Sequence, residues 1–317
     1  MDPRAATAGD RHPATASATV DVATILVVHN DADLLPGCLR ALSGAARSAR
    51  ACVVVADTGS ADDPAAICEQ AGVPFLPGAN HGLAAAFNRA LALDEVRGAR
   101  YVLQLNPDIV LPAGALDRLV GLADQHPRSG ILAPRQLDQD DALICSIGVE
   151  PSPATYWRAI TQLPGDWVWD HDCYRAEYSA DWVMGACMLL RAEMLAEIGG
   201  FDERFFLCSE EVDLCRRARA AGWLITYTPQ VSVMHPLADR PLDAHRVRLE
   251  EWSRILYLRK WHGLVARSLI RLALATRLML LAAMERSRVL SQRHAGIRLR
   301  AALRFDRRRY GPAPGSR

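Results

Sequence analysis

"ACVVVADTGSADDPAAICEQAG", residues 51–72, carries a strand signal and a helix signal back to back. Cys52 to Ala56 is a short, unbroken apolar run rich in valine, the composition of a strand buried on both faces. It ends at Asp57. Asp63 then stands at a helix cap, with Pro64 in the first turn, where the missing N–H is no loss. Strand, turn and capped helix together predict one βα unit.

The same alternation repeats on both sides. "VATILVVHN" (22–30) is an earlier buried strand, and Leu34, Leu35, Cys38, Leu39 and Leu42 follow it at helical spacing. "VPFLPG" (73–78) is a third, short strand, followed by the helix "GLAAAFNRALALDEV" (82–96). "RYVLQLNPDIVL" (100–111) is a fourth strand, "PAGALDRLVGLADQHP" (112–127) a fourth helix and "GILAPRQLD" (130–138) a fifth strand. Such repetition predicts an α/β fold with a mostly parallel sheet, right-handed crossovers and helices on both faces. Residues 140–180 are irregular and aromatic (Tyr156, Trp157, Trp167, Trp169, Tyr174) and read as an excursion loop. "DWVMGACMLLRAEMLAEIGGF" (181–201) gives a strand and a helix stopping at Gly199-Gly200. "FFLCSEEVDLCRRARAAGW" (205–223) is a loop entering a helix, and "ITYTPQVSVMHP" (225–236) a strand pair ending at His235.

The chain has 317 residues, half of them apolar, which is ordinary globular composition for one large α/β domain. Eight cysteines without a CxxC pair exclude a zinc-ribbon or disulfide framework, and predict reduced thiols mostly inside the protein. Residues 1–20 are Ala/Thr/Pro-rich without an apolar h-region, so a disordered leader is expected in place of a signal peptide. No run of apolar residues is long enough to span a bilayer. The net charge of +1 hides a split: 18 basic and 31 acidic residues precede position 240, and 19 basic and 5 acidic residues follow.

In parallel sheets ligands collect beyond the carboxyl ends of the strands. Asn30, Asp57, Asn106 and Asp108 all fall there. Each also fits a turn or helix cap. Asp108 at a strand end suits a hard divalent cation, and Asn106, two residues earlier, shares its face if the segment is extended. Glu210, Glu211 and Asp213 open a helix. They fit both a general base and the ordinary acidic enrichment of a first turn. His235 is equally a packed histidine or a ligand.

These stretches together resemble the inverting family-2 glycosyltransferases of the GT-A fold, and within them the rhamnosyltransferase-like branch. The resemblance is carried by "VVHNDADLLPGCLRAL" (27–42), "VVVADTGSADD" (53–63), "GANHGLAAAFNRAL" (78–91), "LQLNPDIVL" (103–111) and the long run from Asp181 to His235. It implies a nucleotide-sugar donor, with Asn30 and Asp57 near base and ribose and Asn80, Gly82, Asn88 and Asn106 bordering the rest of the donor. Asp108 and His235 would hold a divalent cation, Mg²⁺ or Mn²⁺. Trp182, Gly185 and Ala186 would line the sugar and acceptor pocket, and Glu211, with Glu210 beside it, would be the catalytic base. Best donor and acceptor are dTDP-L-rhamnose and a saccharide, free or polyprenyl-linked, of the cell envelope. The chain departs from the pattern in a Glu-Glu pair where Glu-Asp is usual and in a single carboxylate at Asn-Pro-Asp. His29 and Cys208 or Ser209 also replace common aromatics.

The catalytic domain is expected over 21–240 and a basic helical region over 241–317. Arginines interleave with Leu, Ile, Met and Trp over 252–290, as in an amphipathic helix on an anionic membrane surface. Packing on the protein or on a second copy fits the same pattern, whereas the Leu-rich run without a reader motif argues against nucleic acid. This places the protein in the cytoplasm or on the inner face of the cell membrane. Two rival functions remain: an inactive sugar-nucleotide-binding scaffold, and a sugar nucleotidyltransferase, which would want a Gly-rich phosphate loop after the first strand.

Overall fold

The computed structural model describes residues 20–158, 167–168, 170–236 and 244–285. The leader, Trp169 and the tail beyond 285 lie outside the described residues.

Strands β1 (Val20–Val28), β2 (Ala51–Asp57), β3 (Phe75–Leu76) and β4 (Ala99–Leu105) run parallel in the spatial order β3-β2-β1-β4. Parallel neighbours need crossovers, and α1 (Leu35–Ala45), α2 (Pro64–Ala71), α3 (Leu83–Leu91) and α4 (Asp94–Arg97) supply them. α2 is capped by Asp63, which accepts from Ala66 N ahead of Pro64.

After α5 (Ala115–Gln125), β5 (Ser129–Leu137) does not join β4. The chain first passes through β6 (Leu143–Ile144), β7 (Ile147–Gly148), α6 (Pro153–Arg158), β8 (Tyr178–Ser179) and β9 (Trp182–Val183). Then β10 (Cys187–Arg191) inserts antiparallel between β4 and β5. The expected excursion is therefore the route that brings one reversed strand into the middle of the sheet. α7 (Ala192–Ile198) and α8 (Glu210–Ala220) lead to β11 (Leu224–Met234), parallel to β5. The expected strand pair over 225–236 is thus one strand. Its register on β5 shifts between Thr228 and Ser232, around Pro229, which has no N–H for the ladder. The helices α9 (Ala244–Trp261) and α10 (Leu264–Glu285) close the described chain.

Side-chain alternation divides the core between the two sheet faces. On β4 and β10, Val102, Met188 and Leu190 join one cluster with Phe87, Leu214 and Tyr257. Leu103, Leu105 and Leu189 join the other with Leu35, Ile109 and Leu119. Tyr257, Ile270 and Ala273 in the first cluster come from α9 and α10, so these helices share the catalytic core. All eight cysteines are free; Cys38, Cys68, Cys187 and Cys215 are buried and the other four half-buried. Among the described residues no helix is long and apolar enough to cross a membrane.

Candidate active site

The carboxyl ends of β1 and β2 form one wall. Asn30 takes a left-handed conformation (φ 56°); Ser60 Oγ accepts from its N–H, and its own Oδ1 accepts from Ala61 N at 2.8 Å. His29 Nε2 lies 3.3 Å from Asn30 Nδ2 and 3.5 Å from Asn80 Nδ2, so His29 gathers the two asparagines. Asp57 is buried and accepts from Gly59 N and from the amide and hydroxyl of Ser60. It shapes the turn on which this wall stands. Gly82 (φ 92°) lets α3 start hard against the 206 carbonyl, which accepts from Leu83 N at 2.9 Å; a Cβ at Gly82 would run into that oxygen.

A backbone bridge builds the second wall. Val110 N donates to Met234 O at 2.9 Å and Met234 N to Val110 O at 3.0 Å. This fixes Asp108 beside His235, with Nε2 to Oδ2 at 3.4 Å. The segment between Asn106 and Asp108 is not extended: Ile109 N bonds Asn106 O in a tight turn, so the two-residue spacing does not by itself align their side chains. Asn106 N instead donates to Ala186 O at 2.8 Å, tying the turn to the Gly185–Ala186 segment. Gln136 Oε1 accepts from His235 Nδ1 at 2.8 Å. In the neutral imidazole that contact places the proton on Nδ1 and turns the Nε2 lone pair toward a carboxylate whose Oδ1 is buried and unpartnered. One imidazole nitrogen and one carboxylate with an unpartnered buried oxygen fit a divalent cation. No third His, Cys, Asp or Glu completes a metal cluster among the described residues. Asp31, on the first wall, accepts from His29 N at 3.0 Å; burial and the nearby Asp108 charge hold its carboxyl above the usual range.

The acidic pair sits between. Cys208 (φ 68°) and Ser209 (φ 64°) are consecutive left-handed residues that swing the chain into α8 and place Glu210 and Glu211 in its first turn. Such residues cost of order 1–3 kcal/mol each and concentrate at functional sites. Glu211 packs on Gly185, where an added Cβ would stand 3.4 Å from its own Cβ. One carboxylate oxygen of each glutamate is buried without a partner. Burial pushes Glu211 up to about 7, and burial together with the Glu211 charge pushes Glu210 well above the carboxylate range. A carboxylate poised near neutrality is suited to accept a hydroxyl proton.

α9 holds this helix in place. Asp213, fully buried two residues after Glu211, accepts from Arg217 Nε at 2.8 Å and from Trp261 Nε1 at 2.8 Å, and pairs with Lys260 Nζ at 2.6 Å. Ser253 Oγ donates to Leu207 O at 2.7 Å, just ahead of the left-handed pair. Tyr257 OH donates to Glu150 at 2.5 Å, and Arg216 of α8 pairs with the same carboxylate.

Two expected site residues are otherwise engaged. Asn88 donates to Phe201 O and Glu203 Oε1 and accepts from Phe201 N, so its amide fastens α3 to the 201–203 segment and keeps no donor for a phosphate. Trp182 is 3% exposed, donates to Val149 O and stacks edge-on with Trp167 at 4.5 Å; it supports the wall from behind. Gln136, Asp31, His29 and the α9 contacts were not read from the sequence.

The sheet and the polar rim at its strand ends define a GT-A-type α/β fold. The same architecture recurs in a mannosyltransferase from Pyrobaculum calidifontis solved with GDP-Man and Mn²⁺ (TM-score 0.54, 17% identity, 86% of this chain and 76% of that one). It recurs in GalNAc-T7 solved with UDP, GalNAc and Mn²⁺ (TM-score 0.53, 13% identity, 73% and 48%). The "Glycosyltransferase like family 2" model matches residues 21–253, and the chain belongs to that family. It is similar to the N-acetylglucosaminyl-diphospho-decaprenol L-rhamnosyltransferase of Mycobacterium tuberculosis, 32% identical over 262 residues, 74% of this chain and 85% of the relative. It is also similar to rhamnosyltransferase WbbL of Escherichia coli, 26% identical over 183 residues, 53% and 66%. The protein is a glycosyltransferase, and the nucleotidyltransferase and inactive-scaffold alternatives fall away.

Proposed function

We propose that this enzyme transfers L-rhamnose from dTDP-L-rhamnose, with inversion, to a polyprenyl-linked saccharide in cell-envelope polysaccharide synthesis. The rhamnosyltransferase names of two relatives support the sugar, and the lipid-linked substrate named for the M. tuberculosis protein supports the acceptor. The observation that carries the reading is one continuous link. Asp108 and His235 are joined through the Asn106 turn and Ala186 to Gly185, against which Glu211 packs.

In this reading His29, Asn30, Asn80 and Gly82 border the donor, on a wall shaped by Asp57. Asp108 and His235 would hold a divalent cation, Mg²⁺ or Mn²⁺, which would supply positive charge for the departing diphosphate. Gly185, without a side chain, lets Glu211 pack beside it, and in this reading the Glu211 carboxylate takes the acceptor hydroxyl's proton. The acceptor oxygen then attacks the anomeric carbon opposite the leaving diphosphate, and one displacement inverts the centre. Glu210, kept neutral by burial, leaves Glu211 as the group that ionises near neutrality. The enzyme works on the inner face of the cell membrane, resting there through the basic helices.

The test is a donor panel read by nucleoside diphosphate release, with dTDP-rhamnose beside UDP- and GDP-sugars, with and without Mg²⁺ and Mn²⁺. Metal-dependent release from dTDP-rhamnose only in the presence of acceptor is expected. Preference for another donor overturns the sugar, and release that ignores metal overturns the Asp108–His235 role.

A further inference from the structure

α9 has two working sides. One carries Ser253 and Tyr257 into the catalytic body through Leu207 and Glu150. The other side faces α10 across a shallow groove. Ile255, Leu258 and Leu274 give that groove an apolar lining. Glu251, Arg254 and Arg259 also line it, and Arg254 is already paired with Glu250 at 3.0 Å and Glu251 at 3.1 Å. Arg267 and Arg271, one turn apart on α10, also line it, and neither has an ion pair or side-chain hydrogen bond among the described residues. Two adjacent unpaired guanidinium groups over an apolar lining call for an anion attached to an apolar body.

The surface beside the groove shows the same chemistry. Val265, Leu269, Leu272 and Met279 are 76%, 41%, 54% and 57% exposed. Their spacing puts them within one narrow stripe of α10, while Ile270 and Ala273 turn inward and are fully buried. From position 240 onward the chain carries 19 basic and 5 acidic residues.

We propose that this groove is a headgroup site for an anionic bilayer lipid, whose phosphate seats between Arg267 and Arg271 while the stripe from Val265 to Met279 lies in the interface. The inference deepens the membrane-face reading above and rests on it. The phosphate belongs to the bilayer and not to the acceptor. α9 stands between the groove and Glu211 with a helix diameter of roughly 10 Å, whereas an acceptor diphosphate is bonded to the sugar that must reach Glu211.

The experiment is co-flotation of the full chain with vesicles of phosphatidylcholine alone and of phosphatidylcholine with phosphatidylglycerol in equal parts. Transfer to a soluble short-chain acceptor is assayed in parallel. Binding to the anionic vesicles only is expected, weakened about thirty-fold in Arg267→Gln/Arg271→Gln, with soluble-acceptor transfer unchanged. On the wild-type chain, anionic vesicles should protect Arg267 and Arg271 from phenylglyoxal, and neutral vesicles should not. This second measurement stands even where the double variant does not fold. Equal flotation of wild type and double variant, absent protection, or a stripe buried in a stable dimer overturns the headgroup site. Absence of transfer to any acceptor defeats the functional reading instead, whatever the vesicles show.

Discussion

Gln136 Oε1 lies 2.8 Å from His235 Nδ1, and the opposite ring nitrogen points at Asp108 Oδ2, 3.4 Å away. The glutamine makes the histidine directional: its Oε1 accepts the Nδ1–H hydrogen bond and so turns Nε2 toward the carboxylate. Replacing Gln136 with Met frees the tautomer and should raise the metal concentration needed for half-maximal nucleoside diphosphate release by about 10–100-fold. Asp108→Ala should raise it further. An unchanged metal requirement in both variants would remove this pair from the diphosphate site.

Glu211→Gln keeps the shape of the side chain and deletes the base. Transfer should fall by about 10³-fold, within the usual span for a lost general base, while donor affinity by calorimetry stays the same. Loss of donor binding instead would make Glu211 a binding residue.

The pH profile follows from burial. Glu211 acts only when ionised, and burial lifts it to about 7. The rate should therefore fall tenfold per unit as pH drops below about 7 and level off above it. A profile that declines only near the ordinary carboxyl range would show the base lies elsewhere.

Glu210 has the opposite bearing on stability. Its folded pKa is raised, so the cost to folding is absent below the unfolded pKa and grows as pH climbs toward the folded one. Glu210→Gln should raise the melting temperature at about pH 8 and leave it unchanged at about pH 4. Thermal unfolding at the two pH values measures it, and equal effects at both would show that burial of the charge is not the cause.

Lys260→Met should cost about 2 kcal/mol in urea unfolding, because it takes one hydrogen-bonded charge from the buried Asp213 and leaves Arg217 and Trp261 to hold it. Lys260→Arg should recover most of it. A loss no greater than for an exposed lysine would show that Asp213 is satisfied without Lys260.

The βα repeat was legible because apolar runs and caps report directly on burial: the Asp63–Pro64 helix start and the Gly199 stop stand where the sequence puts them. Direction was not legible. "CMLLR" is as apolar as any parallel strand, and only the excursion before it turns β10 round. The strand pair predicted at 225–236 is one strand because the irregularity at Pro229 bends the ladder without ending it. At the site, residue types at strand ends could be read, and their occupations could not. Asn88 and Trp182 carry the right chemistry yet bond to the protein itself. A lone glutamine inside an apolar strand gives no sign that it will meet a histidine about a hundred residues away, so Gln136 was invisible. The α9 contacts were hidden for the same reason, since charge composition says nothing of which arginines and lysines turn inward.

Only His262 and Gly263 separate α9 from α10, and α9 is bolted through Asp213 to α8, the helix that carries Glu211. Such a mount is a fixed stand, not a tether. Whatever surface α10 rests on, the Glu211 carboxylate is carried at one set height and tilt above it. The enzyme would therefore gauge its acceptors by reach, sampling hydroxyls presented at that level and passing over those on shorter or longer stalks.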